Sequence, residues 1–173
     1  MSTPVAEMLF TDADATPMST DESTIKNWDD AAEQLAAAAT YWLATSCADG
    51  RPHVQPVLGV WNDGVMYVST RPGSVKSRNL SRDGRCVVTV STDYGDLVVE
   101  GSARRIEEHE QERLEHVVAL FDDKYEWRLS IRAGRLYEDG LPSQPEYVFD
   151  QIVPTKAFGY GPDGLTATRW RFE

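Results

Sequence analysis

Apolar and polar residues alternate along much of this chain, and helical spacing is confined to a few short stretches. Tyr41–Ser46, Pro52–Trp61 and Val65–Thr70 show the period of two that marks a strand. Ala48-Asp49-Gly50 separates the first two, and Asn62-Asp63-Gly64 separates the second from the third. Asp-Gly accepts the positive φ values of tight hairpin turns, so these strands are expected to form a three-stranded antiparallel meander. Arg85–Ser91 and Leu97–Ile106 read as the next pair, joined across Asp93-Tyr94-Gly95-Asp96. Tyr147–Lys156 and Thr166–Phe172 read as the last two strands, around the glycine-rich run Gly159–Gly164.

Trp28–Ala39 is alanine-rich, and Asp29 and Asp30 suit the positive end of a helix. Val75–Ser81 predicts a short helix. Glu108–Asp122 predicts a longer one, with Leu114, Val117, Val118 and Phe121 on one stripe. Glu126–Arg132 is expected to be helical as well, and Glu138–Pro145 to be a loop. Seven strands with hairpin joints and few helices predict a mainly β fold, a β-barrel decorated by helices. At 173 residues the chain suits one domain with a substantial core. Residues 1–23 are rich in Ser, Thr, Pro, Ala and Asp and are expected to form a flexible tail, with the domain over 24–173.

Charge brings in the first chemistry. The chain has 17 Lys and Arg against 28 Asp and Glu, a net charge of −11. Between Ser69 and Arg85 there are five cations (Arg71, Lys76, Arg78, Arg82 and Arg85) and one anion (Asp83). That island carries +4, which leaves −15 for the rest. It opens at a strand end, Ser69-Thr70, passes Pro72-Gly73 and reaches Ser74, a helix N-cap. A strand end, a turn and a helix start bring free N–H groups together, and Arg and Lys beside them favour a phosphate. A solvated basic turn is the plainer alternative. An acidic chain is not expected to bind nucleic acid or anionic lipid.

Other classes find little support. No apolar run approaches the roughly 20 residues of a membrane span, and the N-terminus lacks the basic start and apolar centre of a signal peptide. Cys47 and Cys86 are isolated, so no zinc site is expected and free thiols of a cytoplasmic protein are the simpler reading. His109 and His116 fall on the polar helix. Trp42 and Trp61 read as core or dimer-interface aromatics, and Glu100 and Glu107 as structural. Tyr160 suits either a lid or an ordinary turn.

Three runs in order, Y-W-L-A-T-S-x-A-D-G-R-P-H-V-Q-P-V, D-G-V-M-Y-V-S-T-R and S-V-K-S-R-N-L, resemble the pyridoxamine 5'-phosphate oxidase-like split-barrel superfamily. The later P-T-K-A-F-G-Y-G and T-A-T-R-W-R-F resemble its branch that uses the deazaflavin coenzyme F420 (the class B-like flavin/deazaflavin oxidoreductases). The resemblance covers about residues 39–172. It implies an FMN-binding split barrel of six to seven antiparallel strands flanked by helices. It also implies a homodimer with the cofactor at the interface. Carried over residue by residue, His53, Gln55, Pro56 and Val57 would face the ring. Ser69 and Thr70 would bond near the ring or ribityl chain. Arg71, Ser74, Lys76, Arg78 and Asn79 would hold the phosphate. Lys156, Arg169 and Trp170 would supply second-subunit or tail contacts.

The implied activity is an oxidoreductase passing a hydride between F420 and a small electrophilic molecule, with the chemistry centred on the cofactor. An FMN-dependent oxidase or reductase is the alternative enzyme. A barrel that binds flavin, deazaflavin or haem without turnover is the alternative class. The loops at 138–145 and 159–164 would cap or occlude the ring in these cases.

Overall fold

The computed structural model describes residues 3–9 and 25–173. The chain forms β1 (Val5–Met8), α1 (Trp28–Ala37), β2 (Tyr41–Ser46), β3 (Pro52–Val57), β4 (Gly59–Asn62) and β5 (Val65–Thr70). It continues through α2 (Val75–Arg82), β6 (Arg85–Thr92), β7 (Gly95–Arg105) and α3 (Gln111–Tyr125). It ends with β8 (Leu129–Arg132), β9 (Arg135–Glu138), β10 (Glu146–Tyr160) and β11 (Ala167–Arg171). Every strand pair is antiparallel. The main path runs β1-β11-β10-β7-β6-β2-β3, and the β4–β5 and β8–β9 hairpins also attach to β10. The ends of the path do not pair with each other. The fold is therefore an open, split barrel flanked by helices, as the sequence predicts.

The structure has more strands than the seven expected, for three local reasons. The second strand breaks at Leu58: β3 ends opposite Tyr41 and β4 begins opposite Val68. At the break, a Cβ on Gly59 would lie 3.0 Å from the Tyr41 ring, so glycine lets the chain cross there. The expected meander is thus two hairpins. The predicted helix over Glu126–Arg132 is also corrected. Glu126 takes the left-handed conformation that caps α3. Leu129–Arg132 is then β8, turned back on β9 by Ala133 and Gly134, both at positive φ. Finally, Val5–Met8, within the expected tail, pairs with β11, and Glu7 bonds to Arg169 at 2.7 Å. The rest of the predicted tail, residues 1, 2 and 10–23, lies outside the described residues apart from 3, 4 and 9.

Two apolar clusters hold the barrel. In one, Trp28 of α1 meets Trp61, Trp170 and Phe172 edge-to-face, with Leu35, Tyr41 and Leu43 beside them. In the other, α3 lays Leu114, Val117 and Phe121 on β10, where Phe121 stacks on Phe149 at 4.7 Å. Each such buried side chain contributes about 1.5–3 kcal/mol. Among the described residues no helix is long and apolar enough to cross a membrane.

Lys124 joins the two clusters. Its ammonium donates to the Ala36 carbonyl at 2.9 Å and to the Tyr41 hydroxyl at 2.7 Å, and lies 4.8 Å from the Tyr41 ring centre. Burial lowers its pKa to about 8 from an ordinary 10.5. Between those values the unfolded chain binds more protons than the folded one, so this group makes stability rise with pH. Above pH 10 the Tyr41 hydroxyl, whose pKa burial raises, opposes the trend. Denaturation midpoints measured from pH 8 to 9.5 should rise less steeply in Lys124→Met than in the parent. Equal slopes would show that Lys124 does not carry the effect.

Candidate anion-binding site

The basic island closes into a defined turn. Ser74 N–H donates to the Arg71 carbonyl at 3.1 Å across Pro72-Gly73, and Gly73 takes the positive φ this turn requires. Ser74 then caps α2, its hydroxyl accepting from Ser77 N–H at 3.3 Å. The N–H groups of Val75 and Lys76 have no intrahelical acceptor, as in any first turn. The sequence reading of strand end, turn and N-cap therefore holds.

The cations of this turn are unusual in their surroundings. Elsewhere most arginines are paired: Arg85 with Asp83, Arg104 with Glu110, Arg132 with Asp139 and Arg135 with Glu108. Among the described residues, Arg71, Lys76, Arg78 and Arg82 have no carboxylate within 4.0 Å. Arg78 donates to the Gly73 carbonyl and Arg82 to the Ser46 carbonyl, which fixes them while leaving their charge uncompensated. Lys76 reaches across to β3 and donates to Gln55 Oε1 at 3.4 Å. Partial burial lowers the Lys76 pKa, the direction expected of an ammonium that lacks a counter-ion.

Behind the turn stands a charged pair with no local sequence signature. Arg105, at the end of β7, donates to Asp150 Oδ1 of β10 at 2.8 Å and to Ser77 Oγ of α2 at 3.0 Å. Asp150 is buried, which raises its pKa against the opposing pull of Arg105. Tyr147 flanks Arg71. Burial and then Glu138 raise the phenol pKa, while Arg71 lowers it.

Two buried side-chain atoms among the described residues lack a hydrogen-bond partner: His53 Nε2 and Thr70 Oγ1. Both belong to the predicted binding set. Thr70 Oγ1 makes no bond of good geometry, although it helps to hold the nearby Asp150 carboxylate ionised.

The remaining candidates separate by face. His53 and Val57 pair with Thr45 and Tyr41, and Gln55 with Leu43, so these three belong to the inward face of β3. Pro56 pairs with Trp42 and lies on the opposite face beside exposed Val54, so it does not join them as expected. Alternation makes the split unavoidable. Val57 is a core residue and Ser69 is buried. Asn79 is buried too, and donates to Thr45 Oγ1 at 3.0 Å, which ties α2 to β2. Lys156 and Arg169 share the outer face with Pro56 across the sheet, paired with Glu100 at 3.8 Å and Glu7 at 2.7 Å. Trp170 points the other way, is buried in the core, and donates to the Lys26 carbonyl at 3.1 Å. These three are not brought to the turn.

Residues 28–149 match the sequence model of the pyridoxamine 5'-phosphate oxidase family, and the chain belongs to that family. No curated protein sequence matches it. Several solved structures share the fold. A conserved hypothetical protein of Mycobacterium tuberculosis has a TM-score of 0.64 at 23% identity, over 83% of this chain and 90% of that one. An F420 reductase has a TM-score of 0.54 at 19% identity, over 72% and 93%. A FAD-binding protein of Mesorhizobium loti has a TM-score of 0.51 at 19% identity, over 97% and 99%.

The Asn79 geometry makes a specific prediction. Asn79→Ala should lower stability by about 1–3 kcal/mol, the cost of a lost buried hydrogen bond and its stranded partner. A shift in the urea midpoint at unchanged slope would show it. An unchanged midpoint would mean that the Asn79–Thr45 bond does not stabilise the fold.

Proposed function

We propose that residues 24–173 form a flavin-type cofactor domain and that the protein is an oxidoreductase. It would pass a hydride between F420 and a small electrophilic organic substrate. The observation that carries this reading is a turn of cations without carboxylate partners, Arg71, Lys76 and Arg78, beside a strand β3 whose His53 Nε2 is buried and lacks a hydrogen-bond partner. An ordinary core satisfies such atoms, and a surface turn gives its cations water or carboxylates. A ring with polar edges and a phosphorylated side chain answers both deficits at once. Family membership agrees, and so does the likeness in fold to an F420 reductase and a FAD-binding protein.

In this reading Arg71, Lys76 and Arg78, with the first N–H groups of α2, grip the phosphate. His53 and Gln55 line the ring from β3, and Ser69 and Thr70 hold the region between. When bound, the cofactor supplies the hydride. The protein supplies orientation, and binding energy gathered at the phosphate is used to fix the ring relative to substrate. The reading also includes a homodimer with the cofactor at its interface, and Trp42 and Val54 are exposed apolar residues available to a partner.

One observation favours FMN as a second reading. F420 carries extra carboxylates on its tail, and the cations expected to meet them, Lys156 and Arg169, already have carboxylate partners.

Absorbance titrations with F420 and with FMN separately test the proposal. Lys76→Ala combined with Arg78→Ala should weaken binding at least ten- to hundredfold, since one charge-assisted bond is worth roughly 1.5–3 kcal/mol. Turnover of menadione by the protein with reduced F420 then separates an enzyme from a carrier. Unchanged affinity in the double variant would remove the turn from the site.

A further inference from the structure

The Arg105–Asp150 pair has a geometry that a simple stabilising bridge does not need. Arg105 divides its donors between two elements: Nε and one terminal nitrogen face Asp150, and that same terminal nitrogen also reaches Ser77 Oγ. Ser77 is the third residue of α2, and its N–H is the one that the Ser74 cap occupies. The guanidinium therefore acts on the side chain of the residue whose backbone closes the cap. The side chain of Arg105 retains 24% of its exposure while Asp150 retains 2%. The anion of the pair is shut in, while the cation keeps some exposure and reaches α2 at Ser77.

We infer that Arg105 is a positioning residue of the anion turn, that it holds α2 through Ser77, and that Asp150 restrains its charge. This rests on the turn holding the phosphate of a flavin-type cofactor. Arg105 then adds positive potential beneath the phosphate, and Asp150 subtracts from it. The two carboxylate-bound N–H groups fix the guanidinium plane, and the remaining bond to Ser77 sets the first turn of α2, where Lys76 and its N–H project.

A structural bridge and a positioning device differ in sign. If the pair only stabilised the fold, removing either partner would loosen the turn, and both variants would bind less well. If Asp150 restrains Arg105, Asp150→Asn keeps the shape and frees the charge. FMN binding, followed by flavin fluorescence with F420 absorbance as the parallel probe, should strengthen roughly three- to tenfold in Asp150→Asn. It should weaken by a similar factor in Arg105→Met and recover at least partly in Arg105→Lys. Ser77→Ala removes one hydroxyl and disturbs folding least, and should weaken binding about two- to fivefold, the share of one neutral hydrogen bond. Circular dichroism confirms that each variant is folded. Weaker binding in Asp150→Asn, or unchanged binding in both Arg105→Met and Ser77→Ala, overturns the inference. The Lys76→Ala/Arg78→Ala variant measured alongside separates the two levels. If it loses affinity while the Arg105 and Ser77 variants do not, the turn holds phosphate without Arg105. If it also keeps full affinity, the reading of the turn fails and this inference falls with it.

Discussion

The long strand β10 sets the terms for everything around it. Over its 15 residues the backbone must satisfy donors and acceptors on two edges, and no single neighbour does so. One edge is held by β7 from Asp150 to Tyr160. The other is shared in succession by β5 and β11, while β9 pairs with Glu146 and Tyr147 at the strand's start. The handover leaves the barrel open and places hairpins at different heights along one strand. Phe149 and Ile152 of β10 belong to different apolar clusters, so the same strand anchors both. It also carries Asp150 into the interior, opposite the end of β7 where Arg105 emerges. A bulge at Pro154, which cannot donate to the ladder, absorbs the change of register.

Electrostatics explains why one turn stands apart from an otherwise acidic surface. With a net charge of −11, most of the protein repels an approaching phosphate. Carboxylates neutralise cations at short range across much of the surface, and those pairs contribute little stability because water screens them. At the turn the pairing is withheld. Arg78 and Arg82 spend their donors on main-chain carbonyls, which position a guanidinium without cancelling it. Such a site attracts anions at close range only, within roughly the 8 Å Debye length of physiological salt. That suits a tightly held cofactor better than a long-range polymer partner.

Local chemistry was legible in the sequence, and long-range partnership was not. Asp63-Gly64, Pro72-Gly73 and Ser74 did what their backbone preferences dictate, and α3 buried the stripe its spacing predicts. The Glu126–Arg132 segment failed because one left-handed residue reset the period, which no propensity sum detects. The inward packing of Trp170 was not legible for a different reason. A strand residue has two possible faces, and only the edge-to-face contact with Trp28 selects the inner one. The same alternation separates Pro56 from His53, Gln55 and Val57. The Arg105–Asp150 pair spans 45 residues and lies outside the basic island, so neither composition nor spacing exposes it.

The partial burial of Lys76 adds a last step. An ammonium pushed into low dielectric without a counter-ion is in an unfavourable state, and its lowered pKa is the measure of that. The fold tolerates this because α2 is held from three sides: Asn79 ties it to β2, Arg105 to β7 and Gln55 to β3. An arriving dianion relieves the Lys76 penalty and recovers free energy already spent in folding. On the proposed function, such an arrangement would strengthen phosphate binding without moving any element, because the helix is already in place. β3 is the end strand of the open sheet, so the reach of Lys76 to Gln55 ties α2 to the barrel's open edge. On the proposed function, this contact would link the phosphate grip to the ring-facing strand, as positioning a flat cofactor for transfer requires.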